Sequence, residues 1–394
     1  MLKLISNVLF NAGETIEETV DWQEVFLESK NQTVCSLAFE ATKQITLPPD
    51  VFEKWFSFAV NYLRNNIHIN QNHTIIHNFL SDNGISYCTL KGCASEYYYP
   101  CPQLRTMGDV DFLLSDENFD DAMQKFIEAG YEITNFEHEF HRGVVKDGID
   151  CEAHFAVSGI PDGKAGEIIK DYLKDIFEKS EETEIDKNVF MKPSHFHHGL
   201  IILLHTYSHL LFEGMGLRHL CDWAVFANSF SNEEFTLMFE EKLKRVGLWH
   251  FARVLSAVCV RFLKMPYKNW IGNVDNSLCD NIIADIFESG NFGGKNKHER
   301  AWQSQMISDR GTFSIGKSKF LKLIIVKNRD ASIKFPIFKK CKILYPFGWI
   351  FLGLRYAIDL ILGKRKYTNI VKLANEAEER REIYKHLHLY ETEE

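Results

Sequence analysis

The chain has 394 residues, of which 45% are hydrophobic and 25% are charged, and its formal net charge is −9 at pH 7. This composition is that of an ordinary soluble globular protein, long enough for roughly two or three domains or for one catalytic core with large helical additions. The negative charge disfavours broad, non-specific nucleic-acid binding, which depends on a basic surface that neutralises phosphates, although it allows a local basic site.

The cysteines predict reduced thiols and a cytoplasmic protein. There are nine of them, an odd number, with wide spacings and no Cys-x-x-Cys pair. This pattern argues against a disulfide framework and against a structural zinc site. The apolar run before Asn11 and Glu14 is too short for a secretory signal peptide. We therefore expect the protein in the cytoplasm.

Strand and helix patterns divide the chain into three regions. Helical periodicity dominates residues 1–84, with a helix predicted over residues 51–80. Residues 85–165 contain predicted strands at 85–90, 110–114, 131–136, 139–145 and 149–157, and predicted helices at 93–99 and 117–129. Helical patterns return in residues 166–394, including 195–212, 217–230 and 235–262. The predicted fold class is α+β, with a small mixed β-sheet core flanked by N-terminal helices and a large C-terminal helical region.

Three acidic residues in the small α/β region are candidate metal ligands. Alternate side chains of an extended strand share one face, so Asp109 and Asp111 are expected to project together. Two carboxylates on one face repel each other unless a cation lies between them, and Mg²⁺ prefers oxygen ligands. The Asp147-Gly148 turn predicts a hairpin whose returning strand offers Glu152 as a third carboxylate, which would complete a two-metal arrangement.

A second group of residues is suited to hold phosphate. The predicted strand that ends at Lys91-Gly92 leads into a short helix, and the N–H groups at a helix N-terminus can bind a phosphate group. Lys91 and Arg105 flank this turn and could neutralise a triphosphate. The residues alone leave an alternative open, in which Asp109 and Asp111 end a solvated strand and Glu152 lies on the solvent face of a hairpin.

Several stretches resemble one known family. They are residues 90–100, which begin Leu90-Lys91-Gly92-Cys93, residues 104–114, which contain Gly108-Asp109-Val110-Asp111, residues 130–131 and 151–155, and more loosely residues 216–223. In these stretches the sequence resembles the uncharacterised nucleotidyltransferase family of the DNA-polymerase-β-like superfamily. The specific matches cover about residues 85–225, and the C-terminal third is similar mainly in being helical.

The resemblance implies a nucleotidyltransferase core over residues 85–165. It places Gly92 and Cys93 at the superfamily's Gly-Ser turn, which holds the nucleotide phosphates. The candidate nucleotide-binding residues are therefore Lys91, Gly92, Cys93, Arg105 and Gly108. Two departures from the superfamily pattern are that Cys93 stands in place of the usual serine and that the gap from Gly92 to Asp109 is longer.

The resemblance also implies the chemistry. Asp109 and Asp111 fall on the superfamily's metal-binding pair, and Glu152 falls on its third carboxylate, which helps to ligate a metal and to deprotonate the attacking hydroxyl. The expected cofactors are two Mg²⁺ or Mn²⁺ ions. The predicted activity is transfer of a nucleoside monophosphate from a nucleoside triphosphate to an unidentified acceptor, which is a small molecule, a sugar phosphate, a protein or a nucleic-acid end.

Two alternatives stay open at this point. One is a non-catalytic nucleotide-binding or scaffold protein of the same fold. The other is a P-loop NTPase, because residues 311–318 match the P-loop pattern and end in Gly316-Lys317-Ser318. The preceding residues, 303–310, do not have the pattern of the buried strand that a P-loop requires.

Other polar patterns are expected to be structural. His205 and His209 lie one helical turn apart, a spacing that zinc sites use, but no third ligand is evident. Arg218 and Asp222 are also one turn apart, and they could form an ion pair within the helix or place a charge near the active-site cleft. The structural interpretation is the favoured one.

The C-terminal third combines a basic, apolar stretch with an acidic end. Residues 343–362 are largely apolar, but Pro346, Arg355 and Asp359 make a membrane span costly, so we expect a buried or interfacial amphipathic helix. Its basic flanks permit peripheral membrane contact. Residues 376–394 are predicted to form an exposed helix with a frayed tail.

Overall fold

The computed structural model describes residues 1–17, 19–309, 312–313, 324, 328, 342–362 and 370–391. Helices α1 (Leu2–Phe10), α2 (Trp22–Asn31), α3 (Cys35–Glu40) and α4 (Pro49–Asp82) precede the first strand. The long helix α4 begins with a proline in its first turn, where the missing N–H costs no hydrogen bond. The helix predicted over residues 51–80 is confirmed and extends two residues further at each end.

A five-stranded mixed sheet follows, in the spatial order β1-β2-β5-β4-β3. Its strands are β1 (Tyr87–Thr89), β2 (Val110–Leu114), β3 (Glu132–Thr134), β4 (His141–Lys146) and β5 (Ile149–His154), with helices α5 (Gly92–Glu96) and α6 (Asp116–Glu128) between them. Strand β2 is parallel to β5, and the other neighbouring pairs are antiparallel. The predicted α+β class with a small mixed sheet is confirmed.

The alternation of residues along β2 decides which face of the sheet carries the polar side chains. Val110, Phe112 and Leu114 are buried in an apolar cluster that includes side chains of α4 and α6. Leu113 belongs instead to the main apolar core, which contains the helices beyond residue 194. Asp111 lies on the same side of the strand as Leu113. Its carboxylate therefore faces the C-terminal helical region.

That region is built mainly from helices. Apolar side chains of five of them, in residues 195–289, form the main core together with α1 and α3. The elements are α7 (Lys164–Tyr172), β6 (Glu181–Ile185), β7 (Asn188–Lys192), α8 (His195–Phe212), α9 (Leu217–Asn228), α10 (Asn232–Arg245), α11 (Trp249–Leu263), α12 (Asn276–Ser289), α13 (Lys297–Ile307), β8 (Ser308–Asp309), β9 (Thr312–Phe313), α14 (Tyr345–Ile361) and α15 (Ile370–Lys385).

The sequence predicts only helices after residue 166, and the structure differs in two segments: one forms a β-hairpin, and the other contains two helices where a single one is predicted. Strands β6 and β7 form an antiparallel hairpin whose turn holds Asp186 and Lys187 at φ 48° and 68°. The sequence hides this hairpin because the turn lacks glycine and β6 is mostly glutamate. The helical pattern over 235–262 splits into α10 and α11 at Gly247, whose φ is 67°.

The prediction of an exposed C-terminal helix over residues 376–394 is also wrong. Helix α15 buries Arg380 and Tyr384, and both side chains hydrogen-bond to Asp285 on α12 at 3.1 Å. These charged and polar groups satisfy one another, so a helix rich in charged residues packs into the protein. The pairing involves a residue about a hundred positions earlier in the chain, which no local pattern reveals.

Helix α14 leaves an apolar stripe open to solvent. Phe347, Ile350 and Leu354 recur at helical spacing and are 67%, 61% and 60% exposed. The sequence-based expectation of a buried helix is therefore wrong for this stripe, whereas peripheral membrane contact stays a prediction. Within the described residues, no helix combines the length and apolarity needed to cross a membrane.

Candidate active site

Three carboxylates meet where β2 and β5 lie side by side. Asp111 in β2 is the direct partner of Glu152 in β5 in the parallel register. Asp109 precedes Asp111 by two residues, so alternation places both on the same side. One oxygen atom from each of the three carboxylates lies within 4.8 Å of the others. The structure therefore brings together the three residues that the sequence suggests as metal ligands.

Asp111 is 5% exposed, and side chains of the same protein balance its charge. Lys91 Nζ lies 3.0 Å from its Oδ2, and His154 Nε2 lies 3.0 Å from its Oδ1. Burial would raise the pKa of Asp111, but Lys91 and the hydrogen bond from His154 hold it well below its usual value. Although burial opposes it, hydrogen bonds to Asp111 and Glu152 raise the pKa of His154.

Asp109 is in the opposite situation. It forms no ion pair with any residue that the structure describes. The negative charge of Asp111 raises the pKa of Asp109 to about 7, with desolvation by the surrounding cleft as the smaller cause, although Lys91 acts against this shift. Neighbouring carboxyl groups whose pKa values are pushed apart are characteristic of functional sites.

These carboxylates fit a divalent cation. Their oxygens converge on one face of the sheet, and a cation between them would relieve the repulsion that raises the pKa of Asp109. His141 Nδ1 and His154 Nε2 also lie 3.2 Å and 3.3 Å from Glu152 Oε2, and these three residues form a second group of possible ligands. Carboxylates suit Mg²⁺ and Mn²⁺, and imidazole nitrogens add affinity for transition metals.

The carboxylates line a cleft of about 330 Å³ between the sheet and the helices α8 and α9. One wall carries Asp109, Asp111 and Glu152. The opposite wall consists of side chains from α8 and α9 and of one aromatic ring from the loop after α12. These residues are His205, His209, Arg218, His219 and Phe292. The cleft is at the lower end of the roughly 300–1,000 Å³ range of small-molecule sites.

Comparison with known protein families agrees with this geometry. The family described as "Uncharacterised nucleotidyltransferase" matches residues 18–264, more than half of the chain. The chain belongs to this family. No curated protein matches the chain.

The family match covers every residue of the cleft except Phe292. It contains the whole five-stranded sheet as well as α8 and α9. It ends before the P-loop-like motif, and Gly316-Lys317-Ser318 lies outside the residues that the structure describes. The two walls of the cleft therefore belong to one family unit, whereas the P-loop-like motif does not.

Four of the five candidate nucleotide-binding residues line the cleft, namely Lys91, Gly92, Arg105 and Gly108. Gly92 has φ 43°, and a Cβ atom there would lie 3.3 Å from His73 Nε2, so both the backbone and the space favour glycine. Cys93 is 1% exposed and packs against Phe190 instead of lining the cleft. Burial raises the pKa of its thiol well above the usual value.

Arg105 is held by an acidic partner. Its Nε and Nη2 atoms each donate a hydrogen bond of 2.8 Å to Asp222, and both residues are buried. The ion pair expected between Arg218 and Asp222 is therefore not formed, because Asp222 binds Arg105 and Arg218 points into the cleft. This pair joins the loop before β2 to helix α9.

Sequence reasoning placed Arg218 near the cleft only as the less favoured alternative, and it did not identify His219 as a cleft residue. Residues 216–223 resemble the family, but the sequence does not show which of their side chains meet the carboxylate face. The structure also adds His219 to the pair His205 and His209, with ligand atoms of all three within 4.8 Å of one another. Helix α9 and the sheet are far apart in the sequence, so the wall that α9 forms opposite the carboxylates becomes evident only in the folded structure.

Mg²⁺ binding is expected to strengthen as the pH rises from about 6 to about 8. Asp109, with a pKa of about 7, must lose its proton before it can ligate a cation, so the apparent affinity should rise up to about tenfold per pH unit below 7 and level off above it. Isothermal titration calorimetry at several pH values checks this. The Asp109→Asn variant should show a flatter profile, and equal wild-type affinity at both ends of the range would contradict the assignment.

Proposed function

We propose that the protein is a metal-dependent nucleotidyltransferase that transfers a nucleoside monophosphate from a nucleoside triphosphate to an acceptor hydroxyl or phosphate. The observation that carries this proposal is the meeting of Asp109, Asp111 and Glu152 on one sheet face, inside a cleft whose opposite wall carries the Arg218 guanidinium. Membership of a nucleotidyltransferase family supports it.

In this proposal the three carboxylates hold one or two Mg²⁺ or Mn²⁺ ions. Bound ions would neutralise phosphate charge and favour deprotonation of the attacking group. Lys91 lies between the two walls, 3.0 Å from Asp111 and 3.3 Å from His205 Nε2. It is therefore placed to attract the triphosphate toward the carboxylates, while the glycine at position 92 allows close approach of the backbone.

Glu152 is the candidate general base. Its Oε2 contacts His141 Nδ1 and His154 Nε2, which orient the carboxylate and can share its charge. The acceptor oxygen forms a bond to the α-phosphorus while the bond to the β-phosphate oxygen breaks, and the acceptor proton moves to Glu152 Oε2. Pyrophosphate leaves on the side opposite the attacking oxygen.

The test is transfer of label from α-labelled nucleoside triphosphates. The purified protein is incubated with each triphosphate and Mg²⁺ or Mn²⁺, with and without cell extract as a source of acceptor. Transfer should occur in the wild type and disappear in the Asp109→Ala/Asp111→Ala variant. A matched control, Asp120→Ala/Asp121→Ala, removes two exposed acids from α6 and should transfer like the wild type.

The alternatives give different outcomes in the same experiment. If triphosphate binds but no label moves under any condition, the protein is a non-catalytic nucleotide-binding or scaffold protein. If γ-phosphate is hydrolysed and this hydrolysis is lost in Lys317→Ala, the P-loop alternative is correct. Either result would overturn the proposed transferase.

A further inference from the structure

The wall opposite the carboxylates carries hydrogen-bond donors without acceptors. Arg218 donates from Nη1 to the carbonyl oxygen of Thr106 at 3.1 Å, and its guanidinium carbon lies 5.6 Å from the centre of the Phe292 ring. Its Nε has no hydrogen-bond partner, and no carboxylate among the described residues forms an ion pair with it. Leaving a guanidinium unpaired in a confined site is costly unless a ligand completes it.

His219 adds a second free donor to this wall. The ring is 3% exposed, and Gly216 N–H donates to its Nδ1 at 3.3 Å. A backbone N–H is always a donor, so Nδ1 accepts and the neutral ring carries its proton on Nε2. Nε2 has no partner among the described residues, although the residue lines the cleft.

The charges around this wall favour an anion over a cation. The nitrogen atoms of His205, His209 and His219 are close enough to suggest a metal site. However, the Lys91 ammonium lies 3.3 Å from His205 Nε2, where it would repel a divalent cation. His219 Nε2 already carries a proton, and the Glu213 side chain, which pairs with His209, is 57% exposed.

We infer that Arg218 and His219 on the helical wall, together with Lys91 between the two walls, form a phosphate-binding subsite distinct from the three carboxylates that would hold the metal. The ligand is a phosphate or diphosphate group, bound by charge-assisted hydrogen bonds from the guanidinium and the ammonium and by the Nε2–H of the imidazole. The Phe292 ring lies 5.6 Å from the guanidinium carbon of Arg218, and this cation–π contact would help to hold the guanidinium in the cleft.

Two sources can supply this phosphate. One is the pyrophosphate end of the nucleoside triphosphate, and the other is a phosphate group on the acceptor. The role of the subsite in turnover rests on the proposed function, but its binding property does not. Binding can therefore be measured without metal, without nucleotide and without any transfer reaction.

The test measures the binding of inorganic pyrophosphate to the full chain by isothermal titration calorimetry, with EDTA present to remove metal ions. The wild type should bind, and Arg218→Gln should weaken binding at least about tenfold, since a hydrogen bond to a charged group is lost. His219→Asn can keep an acceptor near Gly216 N–H while it removes the donor at Nε2, and it should also weaken binding. Arg261→Gln removes an exposed arginine of α11 that pairs with Asp280, and it should bind like the wild type.

A second titration separates the two sources. With Mg²⁺ and a non-hydrolysable triphosphate analogue at saturation, competition with pyrophosphate assigns the subsite to the nucleotide. Simultaneous binding of both assigns it to a phosphorylated acceptor.

Three results would overturn the subsite. The first is that the wild type does not bind pyrophosphate, and the second is that a folded Arg218→Gln variant binds it as well as the wild type. The third is that the protein binds one equivalent of Co²⁺ with a visible absorption that is lost in His219→Asn, which would indicate a metal site at the histidines. Label transfer provides an independent readout. If transfer is never observed but pyrophosphate binding depends on Arg218, the proposed function fails and the subsite stands.

Discussion

Asp111→Asn is expected to lower nucleotidyl transfer at least about a thousandfold. Several kcal/mol of transition-state stabilisation come from a correctly held metal, and each ~1.4 kcal/mol corresponds to a factor of ten in rate. Asparagine has the size of aspartate, so hydrogen bonds to Lys91 or His154 can persist while the negative charge is lost. A carboxylate whose pKa is held well below its usual value is thereby removed without a cavity.

The rate is measured as label transfer per unit time, and circular dichroism shows whether the variant is folded. Asp121→Asn, on the exposed side of α6, is the matched control and should retain wild-type activity. A folded Asp111→Asn protein that keeps more than about a tenth of the wild-type rate would show that the metal does not depend on this carboxylate.

Asp222→Ala is expected to destabilise the protein by about 3–5 kcal/mol, because it leaves the buried Arg105 guanidinium without its counter-charge. The hydroxyl of Tyr99 would also lose its 2.8 Å bond to Asp222. Urea unfolding followed by tryptophan fluorescence gives the free energy of unfolding.

The double variant Arg105→Leu/Asp222→Leu should cost less than the sum of the two single leucine variants, since neither charge is then left alone. Arg261→Ala, which breaks an exposed ion pair with Asp280, provides the contrast and should cost about 0–1 kcal/mol. A loss below about 1 kcal/mol in Asp222→Ala would mean that the guanidinium finds water or another acceptor.

The sheet side of the cleft could be predicted from the sequence because its signals are local. The strand predicted over residues 110–114 matches β2, and strict alternation then puts Asp109 and Asp111 on one side. The Asp147-Gly148 turn fixes the β4–β5 hairpin and with it the position of Glu152. The parallel pairing of β2 with β5 brings Asp111 beside Glu152. This pairing joins strands that are far apart in the sequence, so only the structure shows it.

The helical side of the cleft could not be predicted in this way. Asp222 has a possible partner one turn away in Arg218, yet it binds Arg105, more than a hundred residues earlier in the chain. Cys93 occupies the expected turn, yet its side chain points into an apolar cluster with Phe190. Each of these choices depends on how α8, α9 and the sheet pack together, which short-range periodicity does not encode.

The position of Lys91 between Asp111 and His205 has a practical consequence for dissecting the protein. The cleft crosses the predicted boundary between residues 165 and 166, because one wall comes from the sheet and the other from α8 and α9. A fragment limited to residues 85–165 would carry the carboxylates but lose the helical half of the cleft and the partner of Arg105. Transplanting this chemistry into another protein would therefore require the sheet and the two helices to be moved together, as one folding unit.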